Sequence, residues 1–182
     1  ALTSWTLGTI AGGNTVTATS GTLTGSPVTF TATGNAGAAT QLQLATQPSP
    51  TAQSGVALAV QPAVRLTDAF GNLVATNGVV VTAGFGSGTG TLGGTPTANT
   101  AAGIATFTNL SIAGASGPYT LRFTSGALTA VTSNTITLAA GTAARLAIVT
   151  QPSASAQNAA PFAQQPTVQV EDAAGNPVAG VL

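Results

Sequence analysis

The strongest constraint on this chain is a long internal repeat. The stretch 39–75 returns at 143–179 without a gap, with 18 identities in 37 aligned positions. The offset is 104 residues throughout, so that Gln47 aligns with Gln151. A fixed period of this size indicates a tandem array of one folding unit, and about 100 residues is a common size for a domain.

The composition excludes several classes of function. Only 3% of the residues are charged, as three Arg and three acidic residues, and Lys, His and Cys are all missing. Catalysis lacks its usual base and thiol nucleophile, so we expect neither enzymatic activity nor a cofactor. Nucleic-acid binding needs clustered basic residues, whereas the three Arg residues are isolated. No apolar run approaches the roughly 20 residues that span a bilayer.

The same composition still favours a folded chain that associates with itself. An unusual charge content alone does not make a chain disordered, because disorder also requires low hydrophobicity. The mean hydropathy here is +0.40, so the chain should fold. The surface must then be mostly Thr, Ser, Asn, Gln, Gly and Ala. A net charge near zero favours self-association, so neighbouring repeats or subunits are the first expected partner.

Short alternating stretches predict strands throughout. In 63–67 the pattern places Val64 and Leu66 inward, and similar alternation recurs along the chain. About seven strands in about 100 residues predict an all-β chain of β-sandwiches. The Asn77–Gly78 pair predicts a hairpin, and the Gly-rich stretch 84–103 predicts a long loop or a weak edge hairpin. The expected domains are 1–37, the late part of one repeat; 38–142, a complete repeat; and 143–182, the early part of the next.

Three stretches carry a resemblance to a known family. Residues 4–8 (SWTLG) followed by 11–14 (AGGN) resemble the second half of bacterial immunoglobulin-like repeats, and 103–110 (GIATFTNL) with 117–121 (GPYTL) resemble the same half of a related repeat. Residues 168–178 (VQVEDAAGNPV) resemble their first half. These are the invasin- and intimin-type modules of bacterial surface proteins. The resemblance implies tandem immunoglobulin-like β-sandwiches of about seven strands each. It also implies an extracellular or cell-surface location in a stalk, adhesin or fibre.

One polar motif, Asp-x-x-Gly-Asn, occurs twice at the same offset. Its members are Asp68, Gly71 and Asn72, and then Asp172, Gly175 and Asn176. As a hairpin turn, the Asp would accept local backbone N–H groups and the Gly or Asn would take a positive φ. As a Ca²⁺ site, the motif would use Asp68, or Glu171 with Asp172. Since Ca²⁺ wants six to eight oxygens and Asp68 has no second acid nearby, the turn is the preferred interpretation.

Two functions remain open from sequence. The first is a structural repeat of a fibre, stalk or adhesin that stacks end to end or polymerises. The second is a binding module whose loops recognise a glycan or a host protein, and Phe70 and Phe85 are its best exposed aromatic candidates.

The partial repeats also admit two explanations. Either the chain is a window on a longer array, or the early strands of one copy are completed by the late strands of the next.

Overall fold

The computed structural model describes residues 4–180, and its regular structure is entirely β. No helix in that range is long and apolar enough to cross a membrane. The strands are β1 (Gly12–Ala18), β2 (Val28–Gly34), β3 (Gln41–Thr46), β4 (Thr51–Gln53), β5 (Ala63–Thr67), β6 (Val80–Ser87), β7 (Gly90–Gly93), β8 (Thr97–Ala101), β9 (Ile104–Thr106), β10 (Ser111–Gly114), β11 (Gly117–Thr124), β12 (Val131–Thr132), β13 (Ile136–Ala139), β14 (Arg145–Thr150) and β15 (Thr167–Glu171).

The central strands form one hydrogen-bonded path, in the order β3-β5-β9-β8-β6-β11-β13-β4. Strand β12 pairs with β11 beside this path, and β7 pairs with β10 in a separate two-stranded sheet. A parallel bridge between Gln41 and Thr129 brings β3 back to the segment that follows β11. Two layers therefore face each other around one interior, as in a β-sandwich.

The hydrophobic core lies wholly between Leu42 and Leu138. Side chains alternate along β11 and β13, so that every second residue is buried. Val64 and Leu66 are buried on β5, which confirms the inward positions that the alternation predicted. The rings of Phe107 and Phe123 are tilted against each other with centroids 5.4 Å apart, a favourable aromatic geometry.

The Gly-rich stretch 84–103, which was predicted to be a long loop or a weak edge hairpin, is mostly strand. It contributes the end of β6 and the whole of β7 and β8, and most of its glycines lie where other chain atoms come too close for a side chain. A Cβ at Gly88 would overlap the ring of Tyr119, and a Cβ at Gly94 would overlap the backbone of Asn109. Close packing, rather than flexibility, therefore requires these glycines.

The predicted hairpin at Asn77–Gly78 is also wrong. The preceding strand, β5, pairs with β3 and β9, whereas the following strand, β6, pairs with β8 and β11. The two residues still make a bend, in which Gly78 has φ of 78° and Asn77 Oδ1 accepts a hydrogen bond from Ala102 N at 2.6 Å. The bend connects two strands that pair with different neighbours.

Eleven strands lie between Gln41 and Ala139, several of them only two to four residues long, where about seven were predicted.

A two-stranded sheet lies on either side of this core in the sequence. Strand β1 pairs with β2, and β14 pairs with β15. The β14–β15 ladder repeats the register of β3–β5 at an offset of 104, including the irregularity near its end. Unlike β3–β5, both outer sheets expose large apolar side chains: Val28 and Phe30 on one, Leu146, Ile148 and Val168 on the other.

Candidate functional site

The first polar site forms directly after β5, where Asp68 is only 3% exposed. Its Oδ1 accepts hydrogen bonds from the backbone N–H groups of Phe70 and Asn72, both at 2.9 Å. The glycine between them, Gly71, has φ of 85°, a conformation that glycine adopts without strain. The motif thus makes a tight turn in which the carboxylate stands in for a backbone acceptor.

The turn also binds two segments outside it. Asp68 Oδ2 accepts from Gly37 N, in the link between β2 and β3, at 2.9 Å. Asn72 donates from Nδ2 to Thr9 O at 2.8 Å and accepts at Oδ1 from Ala11 N at 2.9 Å. A further bond within the turn, from Asn72 Nδ2 to Asp68 Oδ2 at 2.9 Å, orients the amide. We call these five residues the first junction: Asp68, Asn72, Thr9, Ala11 and Gly37.

The same hydrogen bonds recur at the second motif, where Asp172 is 2% exposed. Asp172 accepts from the N–H groups of Ala174 and Asn176 at one oxygen, and from Gly141 N and Asn176 Nδ2 at the other.

Asn176 also repeats the outward contacts of Asn72. It donates to Gly114 O at 2.8 Å and accepts from Ser116 N at 2.7 Å. We call the corresponding five residues the second junction: Asp172, Asn176, Gly114, Ser116 and Gly141. The five bonds within the first junction, and the sixth that Phe70 N donates to Asp68, therefore all have a counterpart. The offset is 104 for the turn and for Gly37, and 105 for residues 9–11.

The receiving loop of the second junction has its own support. Tyr119 Oη lies 2.9 Å from the carbonyl oxygens of both Thr89 and Ala115, which places the tyrosine hydroxyl beneath the loop that binds Asn176. At the first junction Asn14 occupies the position of Tyr119, and its Nδ2 donates to Gly12 O at 3.1 Å. Different side chains thus hold the two receiving loops, and both loops present the same backbone groups.

Hydrogen bonds keep both carboxylates ionised. The side-chain amide of Asn72 lowers the pKa of Asp68; burial opposes this shift, and the N–H groups of Gly37, Asn72 and Phe70 add to it, so that the pKa is about 2. The side-chain amide of Asn176 likewise lowers the pKa of Asp172. Burial opposes this shift, and the backbone N–H groups of Gly141, Asn176 and Ala174 add to it, so that the pKa is about 2. Partial positive charges of N–H groups, rather than a cation, compensate each negative charge.

This geometry favours the turn over a calcium site. Each oxygen of Asp68 and of Asp172 already accepts two hydrogen bonds, which leaves little coordination capacity for a cation. Glu171 pairs with Arg145, with Nε 2.9 Å from Oε2. Within residues 4–180 no three His, Cys, Asp or Glu side chains gather where a metal ion could be held.

The two aromatic candidates differ in exposure. Phe70 lies on the first turn with 68% of its surface exposed, beside an open cleft lined by Gly8, Thr9 and Asp68 among others. Phe85 is partly buried and packs against Tyr119 with ring centroids 5.7 Å apart, so its prediction as an exposed ligand-facing residue is wrong. Alternation along β6 turns Phe85 toward the core.

Sequence reasoning missed every contact that leaves the turn. Asn72 and Asn176 bind backbone atoms of Thr9, Ala11, Gly114 and Ser116. Since these backbone groups are common to nearly all residue types, the sequence does not indicate which residues are the partners. One signal was present: Gly37 and Gly141 also lie 104 residues apart, just outside the aligned 37-residue stretch. No family model matches this chain, and no curated protein matches it.

Proposed function

We propose that this chain is a non-enzymatic structural repeat of a bacterial extracellular fibre, stalk or adhesin, built from tandem immunoglobulin-like β-sandwiches that stack end to end. One observation carries the proposal: the same six hydrogen bonds occur at two points of the chain. Because the Asn side chain binds its neighbouring loop through the same atoms at both junctions, each loop takes up the same orientation relative to its turn. Constant rotation and rise between units are what a straight or regularly coiled array requires.

The junctions supply an order that linked domains usually lack. Interfaces between domains of one chain are commonly mobile, because few specific bonds cross them. Here a largely buried carboxylate, itself fixed by four hydrogen bonds, holds the Asn side chain that reaches the neighbouring loop. The amide cannot rotate freely without giving up a bond to Asp68. The junction therefore resists bending and twisting, as a stalk must.

The surface chemistry supports the same function. A 3% charged content leaves few groups for catalysis or electrostatic capture of a substrate, and it allows close lateral approach of neighbouring arrays. Neighbouring repeats or subunits are the partner that this proposal requires.

Electron microscopy of the native material, with the intact mass determined alongside, tests the proposal. We expect long fibres with a constant axial repeat of one or two sandwich lengths. Isolated, monodisperse particles of single-chain mass would contradict a fibre and favour a binding module.

A second candidate function rests on Phe70. Its exposed ring beside the cleft of the first junction is a surface on which a sugar ring could stack, and Ala174 at the equivalent position shows that the turn does not need an aromatic residue. If this chain is an adhesive module, the Phe70→Ala variant should lose glycan binding on an array. The matched control is Phe30→Ala, which also removes an exposed ring; equal binding by all three proteins would end this alternative.

A further inference from the structure

We propose that Asn77 is a protected site of covalent modification, at which the side-chain amide is lost as ammonia when the bend that contains it opens. In the closed fold, hydrogen bonds to β8 and to the turn that follows it prevent the reaction. The inference concerns the chemistry of one side chain and is independent of the proposed structural function.

The sequence directs this chemistry to one position. Asn77 is the only Asn in the chain that is followed by Gly. In this reaction the backbone nitrogen of the next residue attacks Cγ of the Asn, so a side chain on that next residue hinders the approach. Gly78 offers no such hindrance and gives the backbone wide freedom to reach the required geometry. Asn176 is excluded, because Pro177 has no N–H group to lose.

The reaction balances with water as its only co-reactant. Gly78 N loses its proton to the solvent and bonds to Asn77 Cγ, while the Cγ–Nδ2 bond breaks and the leaving nitrogen takes up a proton to form ammonia. The product is a five-membered cyclic imide. Water then opens the ring at either of its carbonyl carbons, which gives Asp or isoaspartate. Both residues are exposed, so water reaches the site.

Two hydrogen bonds restrain the reacting groups in the closed bend. The attacking atom, Gly78 N, donates to Thr100 O at 2.8 Å, so its proton is engaged. Asn77 Oδ1 accepts from Ala102 N at 2.6 Å, which ties the side-chain amide to the turn after β8. Ring closure requires this amide to turn onto Gly78 N, and both bonds resist that rotation. Hydrogen bonds rather than burial therefore protect the site.

The side chain of Thr100 fixes the bend on either side of the reacting pair. Its hydroxyl donates to Thr76 O at 2.7 Å and accepts from Val79 N at 3.0 Å. Thr100 is only 4% exposed, so water does not readily replace these two bonds. Every residue from 76 to 79 is thus bonded to the segment 100–102, and the bend opens only when β8 and its turn move away.

Opening of the bend for long enough leaves a permanent chemical mark. The bend connects β5 to β6, two strands that pair with different neighbours. Isoaspartate inserts an extra carbon atom into the backbone at this connection, so the bonds to 100–102 cannot all return with their present geometry. Either product also adds a negative charge to a chain whose formal net charge is zero. Modified copies therefore differ from unmodified copies in charge and in stability.

Incubation of the full chain in warm, mildly alkaline buffer, with and without urea, tests the protection. Chromatography and tandem mass spectrometry of the tryptic peptide 66–122 measure the modified fraction at Asn77. Because the native rate follows the population of the open bend, we expect modification to be at least about tenfold slower in native buffer than in urea. Isoaspartate in the product identifies the cyclic imide, since direct hydrolysis of the side-chain amide gives only Asp.

Thr100→Val isolates the hydrogen bonds of the bend, because it keeps the shape of the side chain and removes the hydroxyl. In native buffer we expect Asn77 of this variant to be modified at least about fivefold faster than in the unaltered chain. The matched control is Ser133→Ala. Ser133 is 8% exposed, and its hydroxyl likewise accepts from a backbone N–H, of Leu121, and donates to a backbone carbonyl, of Asn134. The control should react like the unaltered chain, and all three proteins should react alike in urea.

Three results would overturn the inference. Equal rates in native buffer and in urea would show that the bend gives no protection, and this comparison needs no variant, so it decides the question even if Thr100→Val fails to fold. Equal native rates for Thr100→Val and Ser133→Ala would assign the protection to the fold as a whole. Slower modification of Thr100→Val would mean that the hydrogen bonds promote ring closure.

Discussion

At the scale of single residues, each junction depends on an Asp and an Asn that cannot act separately. Asp68 uses all four of its main acceptor positions, and Asn72 supplies two of those hydrogen bonds while also reaching Thr9 and Ala11. Removing the amide takes one of the two donors from Asp68 Oδ2 and leaves two loop groups without partners. Removing the carboxylate frees the amide to rotate. The pair behaves as one unit in which neither member substitutes for the other.

Truncation of the amide should weaken the fold measurably. We expect Asn72→Ala and Asn176→Ala each to lower the free energy of unfolding by about 1–3 kcal/mol, because a buried carboxylate loses one donor and the two bonds to the neighbouring loop are lost. Urea unfolding measures the effect. Asn99→Ala is the matched control, since Asn99 is exposed on β8, and it should change the free energy by less than about 0.5 kcal/mol. Equal effects at all three sites would contradict the role of the junctions.

Acid should destabilise the protein through the same groups. The pKa of Asp68 and of Asp172 is about 2 in the folded protein, below the ordinary 3.8. The unfolded state therefore binds protons first as the pH falls. The stabilisation is complete above about pH 4 and is lost as the pH falls from about 4 to about 2. Urea unfolding at several pH values should show this loss.

A set of substitutions separates this effect from other acids. Asp68→Asn should remove about half of the pH dependence between pH 4 and 2, because one of the two equivalent carboxylates no longer titrates. Asp172→Asn should remove a similar share, because its carboxylate accepts the equivalent hydrogen bonds. A free energy of unfolding that stays flat from pH 7 to 2 in the unaltered chain would exclude the mechanism.

At the scale of elements, a strand forms where it has a partner rather than where its own sequence is strongest. Strands β5, β11 and β13 could be predicted because alternation marks one buried face. Strands β7 and β8 could not, since Gly and Thr carry no such alternation, and the partner of β7 is β10, which follows only after β8 and β9. For the same reason the turn within Asp68–Asn72 was predictable and its contact with Thr9 was not.

Two glycines outside the strands, Gly88 between β6 and β7 and Gly55 after β4, offer a test of close packing. Gly88 and Gly55 have similar φ angles of 87° and 79°, but a Cβ at Gly88 would overlap Tyr119 while a Cβ at Gly55 meets no atom within 4 Å. We expect Gly55→Ala to cost about 1 kcal/mol for backbone strain alone. Gly88→Ala should cost at least about 1 kcal/mol more, from overpacking. Thermal or urea unfolding compares the two, and equal costs would show that the ring moves aside without penalty.

At the scale of the whole molecule, few formal charges hold the parts together. The Arg145–Glu171 pair is largely exposed at its Arg end, and the junction carboxylates are neutralised by N–H groups rather than by cations. Apolar packing and backbone hydrogen bonds must then carry most of the stability. The sequence repeat predicted the offset at which features recur, but not which atoms meet there, because those atoms belong to segments outside the aligned stretch.

Ionic strength should consequently matter little. Between about 0.05 and 0.5 M NaCl we expect the free energy of unfolding to change by less than about 0.5 kcal/mol, since exposed ion pairs contribute little and are the interactions that salt screens. Arg145→Gln measures the contribution of the exposed pair directly and should fall within the same limit. A steep salt dependence in the unaltered chain would mean that long-range charge interactions stabilise it after all.

The receiving loops share no residue: 9–11 reads Thr-Ile-Ala and 114–116 reads Gly-Ala-Ser. Each loop nevertheless offers one backbone carbonyl and one backbone N–H group to the Asn side chain of its junction. Every amino acid carries the carbonyl, and every one except Pro carries the N–H group. Mutations can therefore accumulate in these loops without uncoupling neighbours. In the proposed array, recombination could add, delete or reorder units with no compensating change, and length could evolve independently of sequence.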